Sequence, residues 1–179
     1  ELSSIQSQQI DEDASFSYQL SGSDIDEDTL VYSADIDGMN AVLDLTEGLL
    51  SITPTSDWFG DIQVNVAVSD GELSDGSTFI LTVHPVNDAP ESQNVQAELD
   101  EDTSTSITVV ASDIDNTQDE LSVMLLSQPI FGEIQFNGLV AEYIPSPEAN
   151  GNETLSFLIS DGADVSEEYD LVIDVTPVN

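Results

Sequence analysis

The 179-residue chain carries 37 Asp and Glu, one His, and neither Lys nor Arg, for a formal charge of -37 at pH 7. That charge excludes nucleic acid and anionic membranes as direct partners. It leaves the carboxylates to be neutralised by cations, protons or a basic partner, and the absence of Cys excludes disulfides, thiolate metal sites and cysteine nucleophiles.

Along the chain the apolar residues alternate with polar ones, and no sustained helical period appears. Successive side chains of a strand point to opposite faces, so this pattern predicts strands with one buried and one wet face. Seven are predicted in the first half, near residues 3–10, 14–22, 29–35, 41–45, 48–53, 61–68 and 77–84. Ile62, Val64, Val66 and Val68 show the alternation, as do Phe79, Leu81 and Val83. The second half repeats it, in Leu155, Phe157 and Ile159 and in Leu171, Ile173 and Val175.

The punctuation between strands also recurs. Asp11-Glu12-Asp13 returns as Asp100-Glu101-Asp102, and Ser23-Asp24-Ile25-Asp26 as Ser112-Asp113-Ile114-Asp115. Pro54, Gly60 and Ser69-Asp70-Gly71 return as Pro145, Gly151 and Ser160-Asp161-Gly162, and Pro85-Val86-Asn87 as Pro177-Val178-Asn179. The offset drifts slightly, which places a loop insertion between Asp115 and Leu121. The chain is therefore read as two copies of one unit, 1–88 and 89–179, each an all-β, seven-strand antiparallel Greek-key sandwich. The first copy runs on from Asn87 into Asp88-Ala89-Pro90 where the second stops, which predicts a longer array. Hydrophobic residues make up 39% of the chain, enough for a modest core per unit. Self-repulsion opposes compaction, so each unit is expected to be marginal without cations.

In such a sandwich the connections alternate between two poles. The turn Asp11-Glu12-Asp13 and the exit at Asn87-Asp88 then fall at the lower pole of unit 1, and Asp24, Asp26 and Asp70 at its upper pole. Unit 2 repeats this with Asp100, Glu101 and Asp102 below and Asp113, Asp115 and Asp161 above. The connecting Pro85-Val86-Asn87-Asp88-Ala89-Pro90 has a proline at each end and no Gly or Ser. It is short and stiff and favours end-to-end stacking. Stacking would gather Glu12 and Asp13, with Asp11 beside them, then Asn87, Asp88, Asp113, Asp115 and Asp161. Two carboxylates about 5 Å apart repel by roughly 3 kcal/mol at an effective dielectric near 20. Hard oxygen donors in this number suit Ca2+, whereas Mg2+ keeps its water and zinc or copper want His or Cys. Asp24, Asp26 and Asp70 form a half-site facing a preceding unit, and Asp100, Glu101 and Asp102 one facing a following unit.

Together these signposts resemble the bacterial cadherin-like repeats found in tandem in large secreted and surface proteins. They stand here as DEDAS, SDIDED, PTSDWFG, VSDG and HPVNDAP, and again as DEDTS, SDIDN, PSPEANG, ISDG and TPVN. The resemblance implies calcium bound between successive domains, with Glu12, Asp13, Asn87, Asp88, Asp113, Asp115 and Asp161 as ligands. It also implies an extracellular, non-enzymatic spacer in a bacterial surface or secreted adhesion protein, whose partners are neighbouring repeats. Vertebrate cadherins match in layout only.

Other readings stand beside this one. The acidic runs also fit the solvated loops of a halophilic protein. Asp24-Ile25-Asp26-Glu27-Asp28 opens like an EF-hand loop, but Thr29 stands where that loop needs Gly. Paired carboxylates suit glycoside hydrolysis, yet here they sit at the tips of small sandwiches. The lone His84 ends a strand, where Thr176 stands in the second copy, and is read as a surface residue. Trp58 and Phe59 are candidates for sugar stacking, and Trp58 makes a carbohydrate-binding accessory module of a polysaccharide-degrading protein the alternative function. Phe59 is expected to cap the core. Homophilic contacts between repeats are a further partner class.

Overall fold

A computed structural model describes residues 1–178. Asn179, which closes the second Pro-Val-Asn, lies outside the described residues. The chain divides into two compact units, one running from Glu1 to Val86 and the other beginning at Asn87.

Unit 1 contains β1 (Gln8–Asp11), β2 (Phe16–Gln19), β3 (Val31–Ile36), β4 (Ala41–Thr46), β5 (Leu49–Pro54), β6 (Gly60–Ser69) and β7 (Ser74–His84). They form a four-stranded sheet in the order β1-β7-β6-β3 and a three-stranded sheet in the order β2-β5-β4. The period-two residues fill the space between. Val64, Val66, Val68, Leu81 and Val83 come from one sheet and Phe16, Leu50 and Ile52 from the other, all buried. Leu2 and Ile5 are buried without belonging to a strand, Leu2 being tied to Gly22 by an isolated bridge. The expected strand 3–10 is thus shortened to its second half.

Unit 2 repeats the plan with β8 (Glu91–Ser92), β9 (Val95–Asp100), β10 (Thr105–Thr108), β11 (Ala111–Ser112), β12 (Ser122–Leu125), β13 (Gly132–Asn137), β14 (Val140–Pro145), β15 (Gly151–Ser160) and β16 (Tyr169–Thr176). The sheets run β12-β15-β16-β9 and β10-β14-β13, with a small β11-β8 ladder. The predicted insertion is a 3-10 turn over Gln118–Glu120, closed by Glu120 accepting the N–H and hydroxyl of Thr117 at 2.9 Å. Those donors hold the Glu120 carboxyl below its ordinary range.

Most pairing is antiparallel, as predicted, but the first long strand of each unit runs parallel to the last. Asp11 pairs with His84 in β1–β7, and Asp100 with Thr176 in β16–β9. This pairing brings each acidic turn to the same end of its unit as the exit from its final strand.

At one pair of matched core positions the second unit exchanges apolar side chains for a hydrogen-bonded polar pair. Unit 1 places Ile52 and Ile62 where unit 2 places Tyr143 and Glu153, and all four are buried. Glu153 accepts the Tyr143 hydroxyl at 2.8 Å and the N–H groups of Ile130 at 2.6 Å and Phe131 at 3.4 Å. Burial, then the bonded carboxylate, push the Tyr143 phenol well above its ordinary value.

The expectation for Phe59 is corrected. It is 54% exposed, and Trp58 packs against the core instead. Gly60 has φ 141°, and a Cβ there would lie 3.0 Å from the Trp58 ring. With no Cβ at Gly60 the indole folds back across it, and Phe59, next along the chain, is turned outward. Unit 2 builds the same lid from a different place in the sequence, with Phe131 against Gly151.

Candidate metal centre

At the lower end of unit 1, Asp13 takes φ 61°, turning the chain sharply after β1. The Glu12 N–H donates to the His84 carbonyl at 2.8 Å, and the Val86 N–H donates to Glu12 Oε1 at 2.6 Å. Glu12 is only 6% exposed. A buried carboxylate in a chain with neither Lys nor Arg is costly unless a cation or further donors reach it. Asp13 Oδ1 accepts the Asp57 N–H at 3.2 Å and the Ser56 hydroxyl at 3.1 Å. Asp13 and Asp57 also bring carboxylate oxygens within 4.8 Å of one another. Asp11 lies on the exposed face of β1, and its carbonyl accepts the Ala14 N–H.

The lower end of unit 2 is built alike. Asp102 has φ 61°, the Glu101 N–H donates to Thr176, and the Val178 N–H donates to Glu101 Oε1 at 2.9 Å. Asn150 donates to the other Glu101 oxygen at 3.0 Å, and the Glu148 N–H donates to Asp102 at 3.3 Å. Asp100 accepts the Thr176 hydroxyl at 2.8 Å.

At the upper end of unit 2 the linking residues meet the predicted acids. Asn87 Nδ2 donates to Asp161 at 2.9 Å and to Asp164 at 3.0 Å, and the Asp88 N–H donates to Asp115 Oδ2 at 2.8 Å. Asp113 Oδ1 accepts the N–H groups of Asp115 and Asn116, both at 2.8 Å. Asp161 Oδ1 accepts those of Ala163 and Asp164, both at 2.7 Å. The Asn87 amide first, then these backbone donors, hold the Asp161 carboxyl below its ordinary value. Asp161 therefore stays ionised at neutral pH.

The fit to an oxygen-seeking cation can be judged from two atoms. Asp113 Oδ2 and Asn116 Oδ1 are buried and, among the described residues, have no hydrogen-bond partner. Buried oxygens without a donor are rare and expensive. Two of them beside Asp115 suit a hard dication taking 6–8 oxygens. The set has no thiolate and no imidazole.

The upper end of unit 1 keeps part of this plan. Asp24 and Asp70 line one cavity of ≈310 Å³ with Asp75. Asp24 Oδ1 accepts the N–H groups of Asp26 and Asp28, and Asp70 Oδ1 those of Leu73 and Glu72. The latter two hold the Asp70 carboxyl low. Asp26 does not line the cavity.

Sequence reasoning missed Asp57, Asn116 and Asp164. Asp57 carried a usable signal, since another acid, Glu148, stands at its place between the recurring Pro and Gly of the second copy; both take φ 57° and donate a backbone N–H to the acidic turn. Asp164 carried none, because Leu73 occupies its place in the first copy.

A family model described as "Bacterial Ig domain" matches residues 2–82 and 87–174. No curated protein matches. Among solved structures, the protocadherin gamma B2 extracellular domains 3–6 align with TM-score 0.63 at 14% identity, over 99% of this chain and 47% of that one. Human protocadherin-24 EC1-2 aligns with TM-score 0.59 at 19% identity, over 90% of this chain and 88% of that one. These likenesses show an Ig/cadherin-like fold. The chain spans 28% of the length of an endo-fucoidan hydrolase of glycoside hydrolase family 107, matched at TM-score 0.40 and 18% identity.

Proposed function

Given that the chain belongs to the bacterial Ig-domain family, over residues 2–82 and again over 87–174, we propose that it is a calcium-binding extracellular spacer in a bacterial surface or secreted adhesion protein. Its work is mechanical and not enzymatic: Ca2+ at the joint between the two domains, 1–88 and 89–179, sets the angle at which neighbouring modules are held. The observation that carries this reading is a pair of bonds to consecutive residues. Glu12 holds the N–H of Val86, and the next residue, Asn87, holds Asp161. A cation that draws on both groups couples the two folds through one peptide unit.

Glu12, Asp13, Asp57, Asn87, Asp88, Asp113, Asp115 and Asp161 are the proposed ligands, with Asn116 contributing its side-chain oxygen. The bound ion supplies charge neutralisation and oxygen coordination. Backbone N–H donors orient the ligand carboxylates. The half-sites Asp24, Asp26, Asp70 and Asp100, Glu101, Asp102 serve the same purpose toward further repeats. Trp58 as a sugar platform has less support, because its ring is half-buried against the core.

Calorimetric titration with CaCl2 tests this. Extracellular calcium modules bind at about 10⁻⁴–10⁻³ M. Asp113→Asn with Asp115→Asn is expected to abolish the tightest site while unit 1 stays folded. Unchanged affinity in that variant would overturn the ligand assignment.

A further inference from the structure

The outer face of the three-stranded sheet in unit 2 is not used by the proposed metal centre. Two adjoining cavities of ≈670 and ≈460 Å³ lie along it and share Gln135 and Glu142. Strand β14 forms their floor. Val140, Glu142 and Ile144 alternate outward, 45–50% exposed at the two apolar positions, over buried Ala141 and Tyr143. Register puts Ser106 and Gln135 on either side of Glu142, Asn137 beside Val140, and Glu133 beside Ile144. From Val140 to Ile144 the floor extends about 14 Å, room for several pyranose rings in a row.

Two features distinguish this face. Among the described residues, the side chains of Glu133, Gln135, Asn137 and Glu142 make no hydrogen bond within the protein. On the four-stranded sheet of unit 1, by contrast, Asn65 is bonded to Asp35 and Thr78, and Thr82 to Asp61. The corresponding face of unit 1 also lacks these acids: Val42 stands where unit 2 has Glu133, and Ser51 where it has Glu142. Glu133 and Glu142 are diagonal neighbours, about 7–8 Å apart by strand geometry, and the chain has neither Lys nor Arg to answer them.

We propose that this groove binds a cationic amino-sugar chain, a glycan bearing free ammonium groups among its hydroxyls. The ammonium groups answer Glu133 and Glu142 through charge-assisted hydrogen bonds. Gln135, Asn137 and Ser106 offer paired donors and acceptors to hydroxyls, and Val140 and Ile144 receive the C–H faces of the rings. Phe136 also lines the groove, but it alternates to the inner side of β13 and packs against the core, so recognition rests on charge and hydrogen bonding and not on stacking. The charge of the whole chain steers a cation toward it and rejects sulfated or uronate polymers.

The test is a titration of the full ¹⁵N-labelled chain, in saturating calcium at about pH 5.5, where carboxylates are ionised, with a fully deacetylated glucosamine hexamer. Saturable shifts are expected at Ser106, Gln135, Asn137, Val140 and Glu142. Glu133→Gln with Glu142→Gln, both exposed, should weaken binding about tenfold or more without moving the melting temperature. Asp44→Asn, on the matching face of unit 1, should change nothing, and the N-acetylated hexamer should bind more weakly. Shifts scattered over both units, or equal affinity in the double variant, would show only counterion attraction and overturn the proposal. Equal binding by the acetylated hexamer, or equal binding by hexalysine at the same residues, would overturn the amino-sugar assignment.

Discussion

Removing the Glu153 carboxylate should destabilise unit 2 alone. Glu153 sits at an inward position of β15, is 7% exposed, and accepts from Ile130, Phe131 and Tyr143. Glu153→Ala strands the Ile130 N–H and the Tyr143 hydroxyl, the two short bonds, at about 1–3 kcal/mol each. The expected loss is therefore about 2–6 kcal/mol, a large share of the stability of a domain this size. Tyr143→Phe removes one bond to a charged group, about 1.5–3 kcal/mol. In the Glu153→Ala background the same change should cost far less, since its partner is already gone. The two units can be followed separately, because Trp58, in unit 1, is the sole tryptophan. Urea unfolding in EDTA should show the circular-dichroism transition of unit 2 moving to lower urea while the Trp58 fluorescence transition stays in place. A neutral Glu153→Ala, or a shift of the Trp58 transition alone, would refute the assignment of this network to the stability of unit 2.

Two further outcomes follow from local geometry. The Asp161 carboxyl is held low by Asn87, Asp164 and Ala163, so the stability it lends is present above its unfolded pKa of about 3.9 and is lost as pH falls below that value. Asn87→Ala should move its NMR titration midpoint upward, and an unmoved midpoint would remove Asn87 from the site. Gly60 has φ 141° with the Trp58 ring 3.0 Å from an added Cβ. Gly60→Ala should therefore cost about 1–3 kcal/mol and shift the Trp58 emission, measured by fluorescence-detected unfolding.

The strands and acidic turns were legible because each is written locally. Ile62, Val64, Val66 and Val68 alternate without interruption and all four are buried, and Asp13 and Asp102 recur in copies that share the same positive φ. What escaped depends on tertiary contact. Glu153 stands at an inward position beside Leu155, but only the fold reveals that the Tyr143 hydroxyl and two loop amides satisfy it. Asp164 has no acidic counterpart in the first copy, and its carboxylate meets the linking residues through Asn87. Trp58 and Phe59 are adjacent aromatics, and which of them turns inward is decided by the bare Cα of Gly60, a contact no periodicity encodes. The orphaned oxygens of Asp113 and Asn116 likewise appear only once the loop has closed around them.

Thermal unfolding in CaCl2, in MgCl2 and in EDTA at matched ionic strength tests calcium binding most directly. An ion at a hundredfold excess over its Kd adds about 2.7 kcal/mol, which for domains of this size raises the melting temperature by roughly 10 °C or more. A rise of that size in calcium, with little in magnesium, is the predicted result. Equal rises in the two salts would mean that the cations only screen the charge of -37, and would contradict a built calcium joint.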